Sequence, residues 1–196
     1  MNSQTHLKLQ TVTLIAAIVL AGALVCGELP GTARADPVAG ASQVGAATLA
    51  QLQARVQALE SREEIRKLMN DYGRLLDERN FEDFARLFAA QSEYDSGGTV
   101  VKGPEAIAAF LKEIIARNPA GYRIPNFHIF FNESIDVQGE RATATSKSAF
   151  VVPGEGRRAE AAIIANYHDV FARENGRWKF LRRVVHSDIP APKSNS

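Results

Sequence analysis

Residues 63–88, EEIRKLMNDYGRLLDERNFEDFARLF, set the first constraint on the fold, because their apolar side chains recur at a helical period. Ile65, Leu68, Met69, Tyr72 and Leu76 follow one another at spacings of three and four, with Glu63, Lys67, Asn70 and Arg74 opposite. Such a helix covers something. Its apolar stripe carries a phenol, Tyr72, and its last turn an acid, Asp77, ahead of a second short amphipathic segment with Phe81, Phe84, Leu87 and Phe88. On an ideal helix Asp77 lies roughly 100° from the centre of the stripe. It is therefore expected to point inward only if the helix end bends or the chain turns there, and otherwise to close the helix facing solvent.

Beyond Phe88 the period changes. Residues 92–96 and 99–102 flank Gly97-Gly98, a hairpin dipeptide, and Gly103-Pro104 opens a helix with Ile107, Phe110, Leu111, Ile114 and Ile115 on its apolar face. Asn118-Pro119 ends that helix. Strands are expected over 123–132, 134–137, 141–152, 159–173 and 177–189, separated by Gln138-Gly139, by Pro153 to Gly156 and by Glu174-Asn175-Gly176. Helices first and long strands afterwards predict an α+β domain, a curved antiparallel sheet with the helices on one side.

The N-terminal residues 1–35 carry an address. A weakly basic start (His6, Lys8), an apolar run over 12–25, helix breakers at Gly27, Pro30 and Gly31, and Ala33-Arg34-Ala35 before Asp36 form a signal peptide cleaved after Ala35. Export to the periplasm or medium is expected by the general route, no paired arginines preceding the run. The alternative is retention of residues 12–25 as a membrane anchor. Lipid modification of Cys26 is disfavoured by bulky Val25 before it. Cleavage takes Lys8, Arg34 and Glu28 from 23 basic and 22 acidic residues, leaving 21 of each. A neutral chain without a basic run gives no footprint for nucleic acid and no polybasic membrane patch. Losing Cys26 removes disulfide, thiolate and cysteine-metal chemistry, and no metal-binding cluster remains. Residues 36–47, small and rich in Gly and Ala, predict a flexible linker, with the domain over 48–190 and a disordered tail at 191–196. Leu49, Leu52, Val56 and Leu59 recur at three, four, three, a short coiled-coil seam of fewer than two heptads, expected to pack on its own domain or across a dimer.

In residues 126–132, Asn126, His128, Phe130 and Asn132 share one strand face, and Phe127, Ile129 and Phe131 the other. His128, His168 and His186 are the histidines that survive cleavage. On its own a strand histidine is more often structural than catalytic.

The order Glu64-Ile65, Tyr72, Leu76-Asp77, Phe88, Gly103 to Ile107, His128, then Tyr167 and Gly176 to Phe180 resembles the SnoaL-like branch of the nuclear-transport-factor-2-like superfamily, over about residues 50–189. The resemblance implies a cone-shaped α+β barrel, a bent antiparallel sheet wrapping a hydrophobic pocket that the helices close. It also implies kinship with bile-acid dehydratases, scytalone dehydratase, dehydrochlorinases, polyketide cyclases and dioxygenase small subunits. In the lyase members an acid ending the first long helix pairs with a sheet histidine to remove a proton, positions held here by Asp77 and His128, with Tyr72 at the place of the bile-acid enzymes' tyrosine. Phe88, Phe130, Tyr167 and Trp178 are expected to line the pocket. Ala165 and Tyr167 replace the serine and asparagine of scytalone dehydratase, and Ser187 stands near the late arginine of the bile-acid enzymes. Arg173, Arg182 and Arg183 are candidates for that arginine, though each also reads as an exposed or paired surface residue. Three functions are compatible with this: a cofactor-independent lyase or isomerase acting on a small hydrophobic ring-containing hydroxy or oxo compound, a hydrophobic-ligand binder, or an assembly module. A homodimer through the open sheet face is the implied assembly.

Overall fold

A computed structural model describes residues 37–117 and 124–189. Two compact units divide the chain, Met1–Ala41 and Ser42–Ser196, and only the first residues of helix α1 are described from the former. The expected signal peptide and C-terminal tail lie outside the described residues, as does the Asn118-Pro119 stop. No helix among the described residues is long and apolar enough to cross a membrane.

The elements run α1 (Pro37–Asp77), α2 (Phe81–Ala85), β1 (Phe88–Ser96), β2 (Thr99–Lys102), α3 (Pro104–Arg117), β3 (Phe127–Gln138), β4 (Arg141–Pro153), a 3-10 turn (Glu155–Arg157), β5 (Ala159–Glu174) and β6 (Arg177–Ile189). Helix α1 begins eleven residues before Thr48, so helical backbone replaces the expected linker over 37–47. Pro37 sits in the first turn, where its missing amide hydrogen costs nothing, and alanine-rich sequence after it has high helix propensity. The sheet has six strands in the order β2-β1-β6-β5-β4-β3 and is not closed, so the expected barrel is an open curved sheet with β2 and β3 at its edges. It is not wholly antiparallel either: β1 pairs with β6 in parallel, the β1–β2 hairpin and α3 lying between β1 and the β3–β6 meander along the chain. Both central residues of Gly97-Gly98 and of Asn175-Gly176 have positive φ, as two-residue hairpin turns require. The two strands expected over 123–132 and 134–137 are one strand, β3, with a bulge between Phe131 and Ser134. Asn132 takes it up at φ 53°, a conformation that asparagine tolerates.

The inner face of the sheet is layered, and the register shows it. At one end Phe88, Phe180, Phe171 and Ala142 stand side by side across β1, β6, β5 and β4, all buried. One step along comes a polar row, Tyr94, Arg183 and Asp169, flanked by Ala144. Beyond it lie Tyr167 and Ser146, then Ser148 beside Phe130, and at the far end His128 beside Phe150. Helix α1 covers these rows with Tyr72, whose ring meets those of Phe180 at 5.9 Å, Phe130 at 6.2 Å and Tyr167 at 6.2 Å. Ile65, Leu68, Met69, Leu75 and Leu76 complete the same core.

Arg183 and Asp169, fully buried side chains directly opposite one another on β6 and β5, form two hydrogen bonds of 2.9 and 3.0 Å. Arg183 is therefore the largest departure from its expected surface position. Burying both charges together is tolerable, whereas burying one alone is not. We predict that Asp169→Ala lowers the unfolding free energy by about 3–5 kcal/mol, while the double variant Asp169→Leu, Arg183→Met recovers most of that loss. Urea unfolding checks this, and a single-variant loss below about 1 kcal/mol would contradict it.

Candidate active site

Helix α1 ends in a two-bond cap: the Asn80 amide donates to the Leu75 carbonyl at 2.9 Å and the Arg79 amide to that of Leu76 at 3.1 Å. This is the Schellman arrangement, with Arg79 in the left-handed position at φ 61°, where glycine is usual. The arginine side chain is what the position gains. Its guanidinium folds back to donate to the Leu76 carbonyl at 2.6 Å and to Asn126 Oδ1 at 2.8 Å. The Asn126 amide in turn donates to Asp77 Oδ1 at 2.6 Å.

Asp77, the last residue of α1, is thereby aimed at β3 as the chain turns at Arg79 and Asn80. Its Oδ2 accepts the backbone N–H of His128 at 2.8 Å, and its Oδ1 lies 2.6 Å from His128 Nδ1. A carboxylate is acceptor-only, so Nδ1 donates this bond, and in the neutral ring Nε2 is then the acceptor, the form of imidazole that can serve as a base. The flank of α1 that bears Asp77 also bears Gly73, one turn earlier. A Cβ there would stand 2.8 Å from the Cβ of His128, closer than real contacts allow, so glycine is what lets helix and strand meet at this point. The His128 ring packs 4.7 Å from that of Phe150. Side chains of His128 and Asp77 keep 14% and 17% of their surface.

A family model described as a SnoaL-like domain matches residues 57–184. The chain belongs to the SnoaL-like family. Among solved structures it is similar to an NTF2-like protein with a cystatin-like fold from Novosphingobium aromaticivorans, at 30% identity and a TM-score of 0.62, covering 70% of this chain and 88% of that one. A putative scytalone dehydratase from the same organism shares the fold at 24% identity and a TM-score of 0.54, covering 66% and 85%. An uncharacterized protein of Mycobacterium tuberculosis is 27% identical over 133 residues, 66% of this chain and 86% of that protein.

In this SnoaL-like domain the expected residues separate into two groups. Asp77 and His128 are in contact. Tyr72 belongs to the layer beneath: its hydroxyl is 3.1 Å from that of Tyr94, and its ring lies under Arg183, whose guanidinium carbon is 3.9 Å from the ring centroid. Phe88, Phe130 and Tyr167 surround Tyr72, whereas Trp178 sits apart, with Arg173 over its ring at 5.1 Å. Arg173 itself bonds Glu64 at 3.1 Å, and Arg182 is exposed near Glu93. His168 and His186 are exposed. Arg183 also stands 4.4 Å from the Tyr167 ring, and its Nη1 is buried with no hydrogen-bond partner. Burial pushes the Asp169 carboxyl up against the opposing pull of Arg183, and Asp169 holds the guanidinium firmly charged. Asn126, Arg79, Tyr94 and Asp169 are the residues around the site that sequence reasoning missed, whereas Arg183 was among its three arginine candidates. Asn126 could have been found, two residues before His128 on the same strand face, and Asp169 likewise alternates with Tyr167 and Phe171.

Burial raises the Tyr72 hydroxyl well above its usual range and raises those of Tyr94 and Tyr167 as well. All three remain neutral donors at physiological pH. Their folded values exceed the unfolded one of about 10, so this contribution to stability is lost as pH rises beyond that point. Of four tyrosines, three are therefore expected to stay protonated at pH 11 until the chain unfolds. Absorbance at 295 nm checks this: the native chain should show no more than about a quarter of the unfolded tyrosinate signal, followed by a cooperative rise.

Proposed function

We propose that this SnoaL-like protein is a cofactor-independent, dehydratase-like lyase or isomerase acting on a small hydrophobic ring-containing hydroxy or oxo compound. The observation that carries the reading is the 2.6 Å contact between Asp77 and His128 Nδ1, with the backbone of the same histidine tied to the same carboxylate. That geometry supports Nε2 as general base for a proton on carbon next to a carbonyl. The C–H bonding pair moves into the new carbon–carbon double bond, and in an elimination a hydroxyl leaves the adjacent carbon with its own pair. Asp77 orients the imidazole and stabilises the imidazolium that forms. The departing oxygen needs a proton and the carbonyl oxygen a donor. The neutral Tyr72–Tyr94 pair, where α1 meets the sheet, and the unpartnered Nη1 of Arg183 are buried polar groups suited to those tasks, in surroundings where low dielectric strengthens them. Export through residues 1–35 is part of the same proposal and rests on the sequence of that segment.

The test needs no knowledge of the natural substrate. A bicyclic ketone such as 2-tetralone, incubated with the protein in deuterium oxide, reports proton abstraction as loss of the α-proton NMR signals. Wild type is expected to accelerate the exchange. His128→Ala should abolish the acceleration, a fall of about 10²–10⁴-fold, and Asn126→Ala should lower the rate less, by loosening Asp77. Equal exchange by wild type and His128→Ala would overturn the lyase reading. Ketone-induced shifts at His128 without any exchange would favour a binding protein.

A further inference from the structure

Residues 45–60 of α1 run ahead of the sheet, and nearly every side chain there is exposed. Most of this arm also precedes the family match, which opens at residue 57. Leu49, Leu52, Val56 and Leu59 keep 58%, 50%, 51% and 57% of their surface, so the seam does not pack on its own domain. It ends where the helix enters the core, at buried Ser61 and Ile65. Leu49, Leu52 and Val56, with Gln53 and Gln57, line a shallow groove along it.

Heptad assignment identifies what fits. The spacing puts Leu49 and Val56 at a and Leu52 and Leu59 at d, and a β-branched residue at a with leucine at d favours two strands. Arg55 then occupies g and Glu60 the following e, both exposed and without an ion pair among the described residues. In a parallel pair g of one helix faces e, five residues on, of the other, so Arg55 of each copy meets Glu60 of the second. An antiparallel pair sets g against g and e against e. The g positions here are Thr48, Arg55 and Arg62, without an acid, and the e positions Gln53 and Glu60, without a base. Charge therefore selects the parallel arrangement.

We infer that the arm is a homodimerisation element in which two copies of this chain join as a parallel two-stranded coiled coil over Leu49 to Leu59. The single cysteine, Cys26, makes this directly testable, since Cys26→Ser leaves a chain without thiols. In that full-length background, Leu52→Cys and Val56→Cys should each form disulfide-linked dimers under mild oxidation, because equivalent a or d residues face one another across a parallel seam. Gln57→Cys, at b, should not. Sedimentation equilibrium supplies the second arm: Arg55→Glu and Glu60→Arg should each weaken dimerisation roughly tenfold, and the two together should restore it. The inference is overturned by a monomeric wild type, by no cross-linking at 52 and 56, or by equal cross-linking at 57. It is overturned equally by cross-links that form only between Leu52→Cys and Val56→Cys chains, which would mark an antiparallel pair, or by a dimer indifferent to both charge reversals.

Discussion

Three N–H groups converge on the Asp77 carboxylate, and the site is arranged around that convergence. They come from the side chain of Asn126, the backbone of His128 and its ring. Hydrogen bonds to an ionised acceptor are the stronger kind, and here they join the last residue of α1 to the first residues of edge strand β3. Edge strands are held on one side only, so without this clamp β3 would depend on β4 alone for its position. One carboxylate thus docks a strand and fixes the tautomer of the histidine on it. Structure and chemistry share the same atoms.

Beneath the dyad, the fold buries an unusual amount of polarity. Two tyrosine hydroxyls, two serines and a complete ion pair lie on the inner face, with the Tyr72 hydroxyl of α1 against them, in a layer bounded by phenylalanines on one side and by His128 on the other. Stability alone does not favour this, since well-packed apolar residues of similar volume do as well as a buried ion pair. Arg183 is held in place on several sides at once, by Asp169 and by the ring faces of Tyr72, Tyr167 and Phe180. A cation so constrained undergoes little reorganisation when charge develops near it, which is the property that electrostatic catalysis uses.

Element type and order were legible in the sequence because period and turn chemistry agree: the stripe from Ile65 to Leu76, the Gly97-Gly98 and Asn175-Gly176 turns, and the alternation around His128 all fall where the structure has them. Asp77 and His128 were legible through family resemblance, not through periodicity, which placed Asp77 off the buried stripe. That placement was correct, and the chain turn it required for an inward Asp77 is the cap at Arg79 and Asn80. A strand edge occupies the flank of the helix, and Gly73, a poor helix former in an otherwise good helix, was the residue that marked the approach. Arg79 left no trace, because a left-handed arginine at a helix end is set by tertiary partners. Arg183 was misplaced for a related reason: charge predicts exposure unless a partner lies opposite, and pairing with Asp169 depends on strand register. Helix over 37–47 was missed because alanine and glycine in short runs serve a linker and a helix alike.

The central claim is that Asp77 sets the proton on Nδ1 of His128 and leaves Nε2 free. Long-range proton–nitrogen correlation NMR of the histidine rings, in wild type and in Asp77→Ala, tests it most directly. Neutral His128 of the wild type is expected to show a protonated Nδ1 and an unprotonated Nε2, with reversion in Asp77→Ala toward the Nε2–H form common in free imidazoles. Identical ring-nitrogen shifts in the two proteins, or a wild type with its proton on Nε2, would contradict it.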